Sequence, residues 1–148
     1  MKMLSEAESD FIFKIDCNFP YADRDKCLSL IREAVALSPR AAFYVVHELC
    51  RIPRYQEIKI PAPILIELLD ELDKRFDHPI KDLIFTTARN MINGELQNAQ
   101  HVAEKMEQVR PYPGEAAALN ILYYSCNDNE RTLEPVMENI WREWRVSN

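Results

Sequence analysis

Apolar side chains recur at helical spacing along nearly the whole chain, and this periodicity restricts the fold more than any other feature. In the segment 63–76, apolar residues span about 100° of a helix and acidic residues occupy the opposite side. The apolar positions there are Leu65, Leu68, Leu69, Leu72 and Phe76. With 2 glycines in 148 residues, the hairpin turns of an all-β fold are disfavoured. The sequence therefore predicts an all-α protein.

Prolines divide this helical pattern into pairs of helices. Ser38-Pro39, His78-Pro79 and Tyr112-Pro113 each place a proline at or near a first helical turn, where its missing N–H costs no hydrogen bond. The segments 41–46 and 116–124 that follow two of them are apolar nearly all round, which is typical of an inner layer of helices. We predict one domain of about eight helices in antiparallel pairs. Its parts are an N-terminal segment at 1–21, pairs at 22–52, 63–93 and 95–127, and a closing helix at 129–146.

Two segments leave the pattern ambiguous. The apolar run 11–17 fits either a helix that begins near Leu4 or an extended segment against the first pair, and we favour the helix. The connector 53–63 contains three prolines, so it is not helical throughout and is expected to be the longest loop.

Helix pairs that repeat every 34 to 40 residues resemble the HEAT-like or armadillo-like α-solenoids over about residues 22–145. The tetratricopeptide signature of Trp, Leu-Gly and Tyr is absent, and the resemblance is one of architecture, so it assigns no functional residue. An irregular helical bundle would give much the same pattern.

Motifs for catalysis and cofactor binding are missing from the sequence. Gly94 and Gly114 are too far apart for a phosphate-binding loop, a dinucleotide turn or a nucleophile elbow. His47-Glu48 begins like the zinc-protease motif H-E-x-x-H, but Arg51 stands at the second ligand position. His101 and Glu104 fall on a polar helix side, which indicates a solvent-facing surface. We predict no metal, no cofactor, no small-molecule substrate and no enzymatic activity.

The cysteines and the termini indicate a cytoplasmic protein. Cys17, Cys27, Cys50 and Cys126 form no C-x-x-C pair and lie in or beside apolar patterns, so we expect reduced core thiols. The acidic N-terminus does not resemble a signal peptide, and the longest uncharged run, 116–127, is shorter than the roughly 20 residues of a membrane helix.

The net charge of −6 disfavours nucleic acid as a partner. One patch combines cations with an aromatic residue, as nucleic-acid surfaces do. Its members are Arg51, Arg54, Tyr55 and Lys59. The simpler interpretation is a helix end followed by a solvated loop.

An acidic stripe on the closing helix is the most suggestive surface. Glu130, Glu134 and Glu138 recur every four residues, and Trp141 projects only about 20° from Glu134. If the pairs align as in a solenoid, the stripe continues into an acidic ridge. The further members of that ridge are Glu67, Asp70, Glu71 and Glu104. A tryptophan beside acids is typical of a binding surface for a basic partner, although a solvated face beside a packed tryptophan is the alternative.

These features together predict a non-enzymatic protein-binding module. The most concrete hypothesis is a small acidic cytoplasmic inhibitor of the immunity type, which masks a basic surface such as the active site of a nuclease toxin. An adaptor or assembly subunit is the alternative, and an enzyme or a nucleic-acid-binding repeat protein is less favoured.

Overall fold

The computed structural model describes residues 4–19, 23–51, 60–127 and 132–146, and these form eight α-helices. In chain order the helices are α1 (Glu6–Asn18), α2 (Arg24–Leu37), α3 (Pro39–Arg51), α4 (Ala62–Asp73), α5 (Lys81–Ile92), α6 (Ala99–Val109), α7 (Ala116–Tyr124) and α8 (Glu134–Val146). The described residues contain no named β-strand, only one isolated backbone bridge. The prediction of an all-α fold of about eight helices is confirmed.

The ambiguous N-terminal run is helical, as favoured above, and its start is fixed by a capping box. The Ser5 hydroxyl accepts a hydrogen bond from the Glu8 amide at 3.1 Å, and the Glu8 carboxylate accepts one from the Ser5 amide at 2.9 Å. These two bonds satisfy amides that a helix start leaves without partners. Phe11 and Ile15 then face the core one turn apart.

Only one of the three prolines opens its helix directly. Pro39 is the first residue of α3, whereas Pro79 and Pro113 lie in turns, two or three residues before the start of α5 and α7. In the first of these turns the Ile80 amide donates a hydrogen bond to Nδ1 of His78 at 3.2 Å. The spacing of apolar residues does not predict this bond. Because of this turn, α5 begins at Lys81, two residues after Pro79.

The third pair also begins later than predicted, at Ala99 rather than at residue 95. The amide of Gln97 donates to the carbonyl of Ser125 at 2.9 Å, and the amide of Asn127 donates to the carbonyl of Gln97 at 3.0 Å. This backbone pairing holds residue 97 in an extended bridge, and the Asn98 side chain then caps α6. The described part of the closing helix likewise begins at Glu134, after a turn.

Helix α3 is the centre of the core. It packs against α1, α2, α4, α5 and α7, and most of its side chains are buried, as its apolar surface predicted. Its direct contact with α7 brings the first and third pairs together.

None of the four cysteines forms a disulfide, but Cys17 is exposed on α1. The expectation of a core position is therefore wrong for Cys17, because it lies on the side of α1 away from Phe11 and Ile15, and right for Cys27, Cys50 and Cys126. No helix in the described ranges is both long and apolar enough to cross a membrane.

Candidate functional site

The predicted acidic residues of α4 are paired with cations of the same chain. Glu67 forms an ion pair with Arg24 of α2. Asp70 accepts a hydrogen bond from the Arg89 guanidinium at 2.9 Å, which joins α4 to α5. Neutralised in this way, these two acids offer little unpaired charge to a partner.

Glu71 is compensated in the same way, by two cations that follow it in the chain. It lies 3.3 Å from Nζ of Lys74 and 3.2 Å from a guanidinium nitrogen of Arg75. The α4 portion of the predicted acidic ridge is thus an internal ion-pair network.

The acidic side chains on α6 and α8 differ from those on α4. Glu104, Glu134 and Glu138 are exposed, and none of them forms an ion pair with a cation among the described residues. Glu130, the first member of the predicted stripe, lies outside the described residues, as do Arg54, Tyr55 and Lys59 of the connector patch. Of the predicted acids within the described residues, Glu104, Glu134 and Glu138 are therefore those whose charge is exposed and not compensated by an ion pair.

Trp141 lies between this acidic surface and the core. It is partly buried, packs against core residues, and contacts Trp144 edge to face with ring centroids 5.6 Å apart. It also lines a cavity of about 490 Å³, together with Leu4 and Ile12 from the N-terminal part of the chain. Trp141 thus borders the N-terminal helix and still has surface toward solvent. We refer to this space as the Trp141 cavity.

Helices α3 and α7 supply the polar groups of the Trp141 cavity. Helix α3 contributes Arg40, then Tyr44 about one turn later and His47 about two turns later, all on one face. Glu115 lies directly before α7, and Asn120 lies in the middle of that helix. His47 and Asn120 also line a neighbouring cavity of about 420 Å³ beside Tyr124. A concave apolar surface with a few convergent polar groups is the usual form of a binding site.

Glu115 is the unusual member of this set. It stands at the N-cap position of α7, but its side chain makes no capping hydrogen bond. Its Oε2 atom is buried and accepts no hydrogen bond from the described part of the chain. Burial raises the pKa of Glu115 to about 7. The positive charge of Arg40 acts in the opposite direction, and the negative charge of Glu8 adds to the rise.

A second carboxylate, Glu8, lies close to Arg40 and is fully engaged. Its Oε2 accepts a hydrogen bond from the Ser38 hydroxyl at 2.6 Å and lies 3.8 Å from Nε of Arg40. Burial opposes ionisation of Glu8, but the bonds from Ser38 and Ser5 and the charge of Arg40 outweigh it and lower the pKa of Glu8. Two carboxylates therefore share the neighbourhood of one guanidinium.

A further buried acid, Glu48, lies on α3 next to His47. Its Oε1 is 3.6 Å from Nε of Arg51 and 3.9 Å from Nδ1 of His47, and burial raises its pKa although Arg51 opposes the shift. Tyr44, one turn earlier, donates its hydroxyl to Asp16 of α1 at 2.7 Å. This cluster fixes the α1–α3 contact on one side of the Trp141 cavity.

Sequence reasoning missed Glu8, Glu48 and Glu115. A weak signal existed for two of them, because Glu48 is an acid inside an almost wholly apolar helix, and Glu115 precedes three alanines that leave space beside it. Both features are unusual for a solvated carboxylate. The sequence gives no sign that Glu8 is buried, although its spacing from Ser5, unlike that of Glu6, matches the Ser-x-x-Glu pattern of a capping box.

The described residues contain no group of three or more His, Cys, Asp and Glu side chains that could hold a metal ion. The cavity chemistry is thus that of charged and aromatic side chains. No protein-family model, curated protein or solved structure matches this chain.

Proposed function

We propose that this chain is a non-enzymatic protein-binding module, an inhibitor of the immunity type that acts in the cytoplasm and masks a basic surface of its partner. The surface we assign to the partner consists of Glu134, Glu138 and Trp141 on α8. The observation that carries the proposal is the position of Trp141, which joins exposed acids on one side to an apolar cavity on the other. The four cysteines, none of which forms a disulfide, support a reducing compartment.

Electrostatics supports α8 over α4 as the binding surface. Two acids four residues apart on a helix repel each other by a few tenths of a kcal/mol. On α4 such repulsion is relieved by Arg24 and Arg89. On α8 no cation among the described residues forms an ion pair with Glu134 or Glu138, so both charges are available to attract a basic partner.

The partial burial of Trp141 supports a role for this residue in binding free energy, in addition to the electrostatic attraction of the two acids. Binding hot spots are enriched in tryptophan, and they lie where a partner excludes water from a partly formed pocket. Trp141 is already held by Trp144 and the core, so little conformational entropy is lost when a partner covers it.

The experiment begins with capture of partners from the native host by the full chain, in low and high salt. The captured partner is then purified, and association and dissociation rates are measured for four proteins. These are the wild type, the double variant Glu134→Lys with Glu138→Lys, the variant Trp141→Ala, and a matched control with Asp82→Lys and Glu95→Lys. Asp82 and Glu95 are exposed acids on a different part of the surface.

We expect the α8 double variant to associate about ten times more slowly at low salt and to lose most of its salt dependence. Trp141→Ala should dissociate faster and lose about 2 kcal/mol of binding free energy. The control should bind like the wild type. Equal losses in the control and the α8 variant, with helical content unchanged, would show that only net charge matters and would contradict the assigned surface.

A further inference from the structure

We propose that the Trp141 cavity receives the guanidinium group of an arginine side chain from the basic partner, with the Glu115 carboxylate as its anchor and Tyr44 and Trp141 as its walls. This inference rests on the proposed function, because it assigns the partner group that enters the site. It follows from the charges, the unused hydrogen-bonding capacity and the aromatic surfaces of the cavity.

The charges around the cavity favour a cation. Glu8 and Glu115 both act on Arg40, so the group carries one more carboxylate than guanidinium. Glu8 already accepts hydrogen bonds from the Ser5 amide and the Ser38 hydroxyl. Of the two carboxylates only Glu115 lines the cavity, so an incoming anion would meet Glu115, whereas an incoming cation balances it.

The hydrogen-bonding capacity of Glu115 points to the same ligand. Its Oε2 is buried without a donor in the described part of the chain. A buried carboxylate oxygen that lacks a donor costs more free energy than one that is paired. A guanidinium supplies donors in a planar fork that suits a carboxylate. Because Oε2 has no contact with solvent, the Glu115 side chain must turn toward the cavity for a guanidinium to reach this atom and remove the cost.

The walls of the cavity favour arginine over lysine. Tyr44 and Trp141 both border the space, and guanidinium planes stack on such rings more readily than an ammonium group does. The volume of about 490 Å³ lies within the range of cavities that enclose a small ligand, so the space admits one long side chain.

The test titrates the full chain with N-acetyl-arginine-N-methylamide and, in parallel, with the uncharged isostere N-acetyl-citrulline-N-methylamide. Binding is followed through the indole N–H resonance of Trp141, assigned with Trp141→Phe. Two variants serve as a matched pair, since Glu115→Gln and Glu104→Gln each replace one carboxyl group by an amide, but only the first alters the cavity.

We expect a saturable shift with the arginine probe, weaker binding of the citrulline probe by ten-fold or more, and a similar loss in Glu115→Gln but not in Glu104→Gln. Equal binding of the two probes, or equal binding by the two variants, would overturn the inference. Free arginine that binds ten-fold tighter than the capped probe would also overturn it, because the cavity would then suit a small molecule rather than a partner's side chain.

Measurements with the purified partner separate this inference from the proposed function. If Trp141→Ala weakens the complex and Glu115→Gln does not, the arginine assignment fails and the protein-binding function stands. If the arginine probe binds as expected but no α8 variant changes association with any protein, the proposed function fails and the cation site stands.

Discussion

The indole Nε1 of Trp144 donates a hydrogen bond to the backbone carbonyl of Arg110, 2.9 Å away, and thereby attaches α8 to the end of α6. The side chain of Arg110 reinforces the attachment through ion pairs with Glu107 on its own helix and Glu143 on α8. Trp144 is fully buried, whereas Trp141, less than one turn away, is partly exposed. The two tryptophans therefore differ in burial, and Trp144 is the one that anchors α8 to α6.

Replacing Trp144 by Phe should lower the free energy of unfolding by about 2 kcal/mol, because it removes the bond to Arg110 and leaves a space in the core. Trp141→Phe should cost less than about 1 kcal/mol, since that ring is not fully buried. Urea unfolding followed by circular dichroism gives both values. Equal costs for the two substitutions would contradict the assignment of Trp144 as the anchor.

Ser38→Ala should destabilise the protein by about 2 kcal/mol at neutral pH. The Ser38 hydroxyl donates to Glu8 and accepts from the Ala41 amide at 3.1 Å, so both bonds are lost. The pKa of Glu8 is lowered in the folded chain, so its contribution is present above the unfolded value of 4.5 and disappears as the pH falls. The stability of the wild type should thus decline more steeply from pH 5 to pH 3 than that of the variant. Parallel declines would argue against this role for Ser38.

Glu115→Gln should stabilise the protein increasingly as the pH rises from 5 to 8. The pKa of Glu115 is about 7 in the folded protein, against the ordinary glutamate value of 4.5 that applies to the unfolded chain. Between these values folding takes up a proton, so the free energy of unfolding of the wild type falls with rising pH. Glu48, whose pKa is also raised, is present in both proteins and cancels in the difference. A difference that does not vary with pH would refute the shifted pKa.

Thiol titration should detect Cys17 rapidly in the native protein and Cys27, Cys50 and Cys126 only after unfolding. Cys17 is exposed and the other three are buried, and burial, aided by the charge of Asp23, raises the pKa of Cys27 further. The Cys17→Ser variant should lose the fast phase and nothing else. Several fast thiols in the native protein would contradict the described burial.

Sequence periodicity predicts which side of a helix is buried, because that depends on residues a few positions apart. On α4, periodicity correctly places Leu65, Leu68, Leu69 and Leu72 on the buried side. It does not predict the late start of α6, which depends on backbone bonds between Gln97 and a segment that begins 28 residues later, at Ser125. Contacts of that range carry no local signature.

The same limit explains which parts of the site were predictable. Glu134, Glu138 and Trp141 share a face of one helix, so their proximity follows from helix geometry. The pairing of Asp70 with Arg89 joins residues 19 positions apart on two helices. The buried position of Glu115 requires α1, α3, α7 and α8 to converge on one cavity. The ion pair and the burial of Glu115 both depend on how packed helices are rotated relative to one another. The residue pattern of a single helix does not determine that rotation.

Glu8 connects the starts of two helices through one carboxylate, since it belongs to the capping box of α1 and binds Ser38, which precedes α3. Helix α1 also contributes Ile12 to the wall of the Trp141 cavity. Local opening of α1 therefore dismantles the cavity, and any occupant binds only the closed form. Occupancy of the cavity and protection of the α1 amides from hydrogen exchange are consequently linked, so the exchange rates of α1 report whether the cavity is filled.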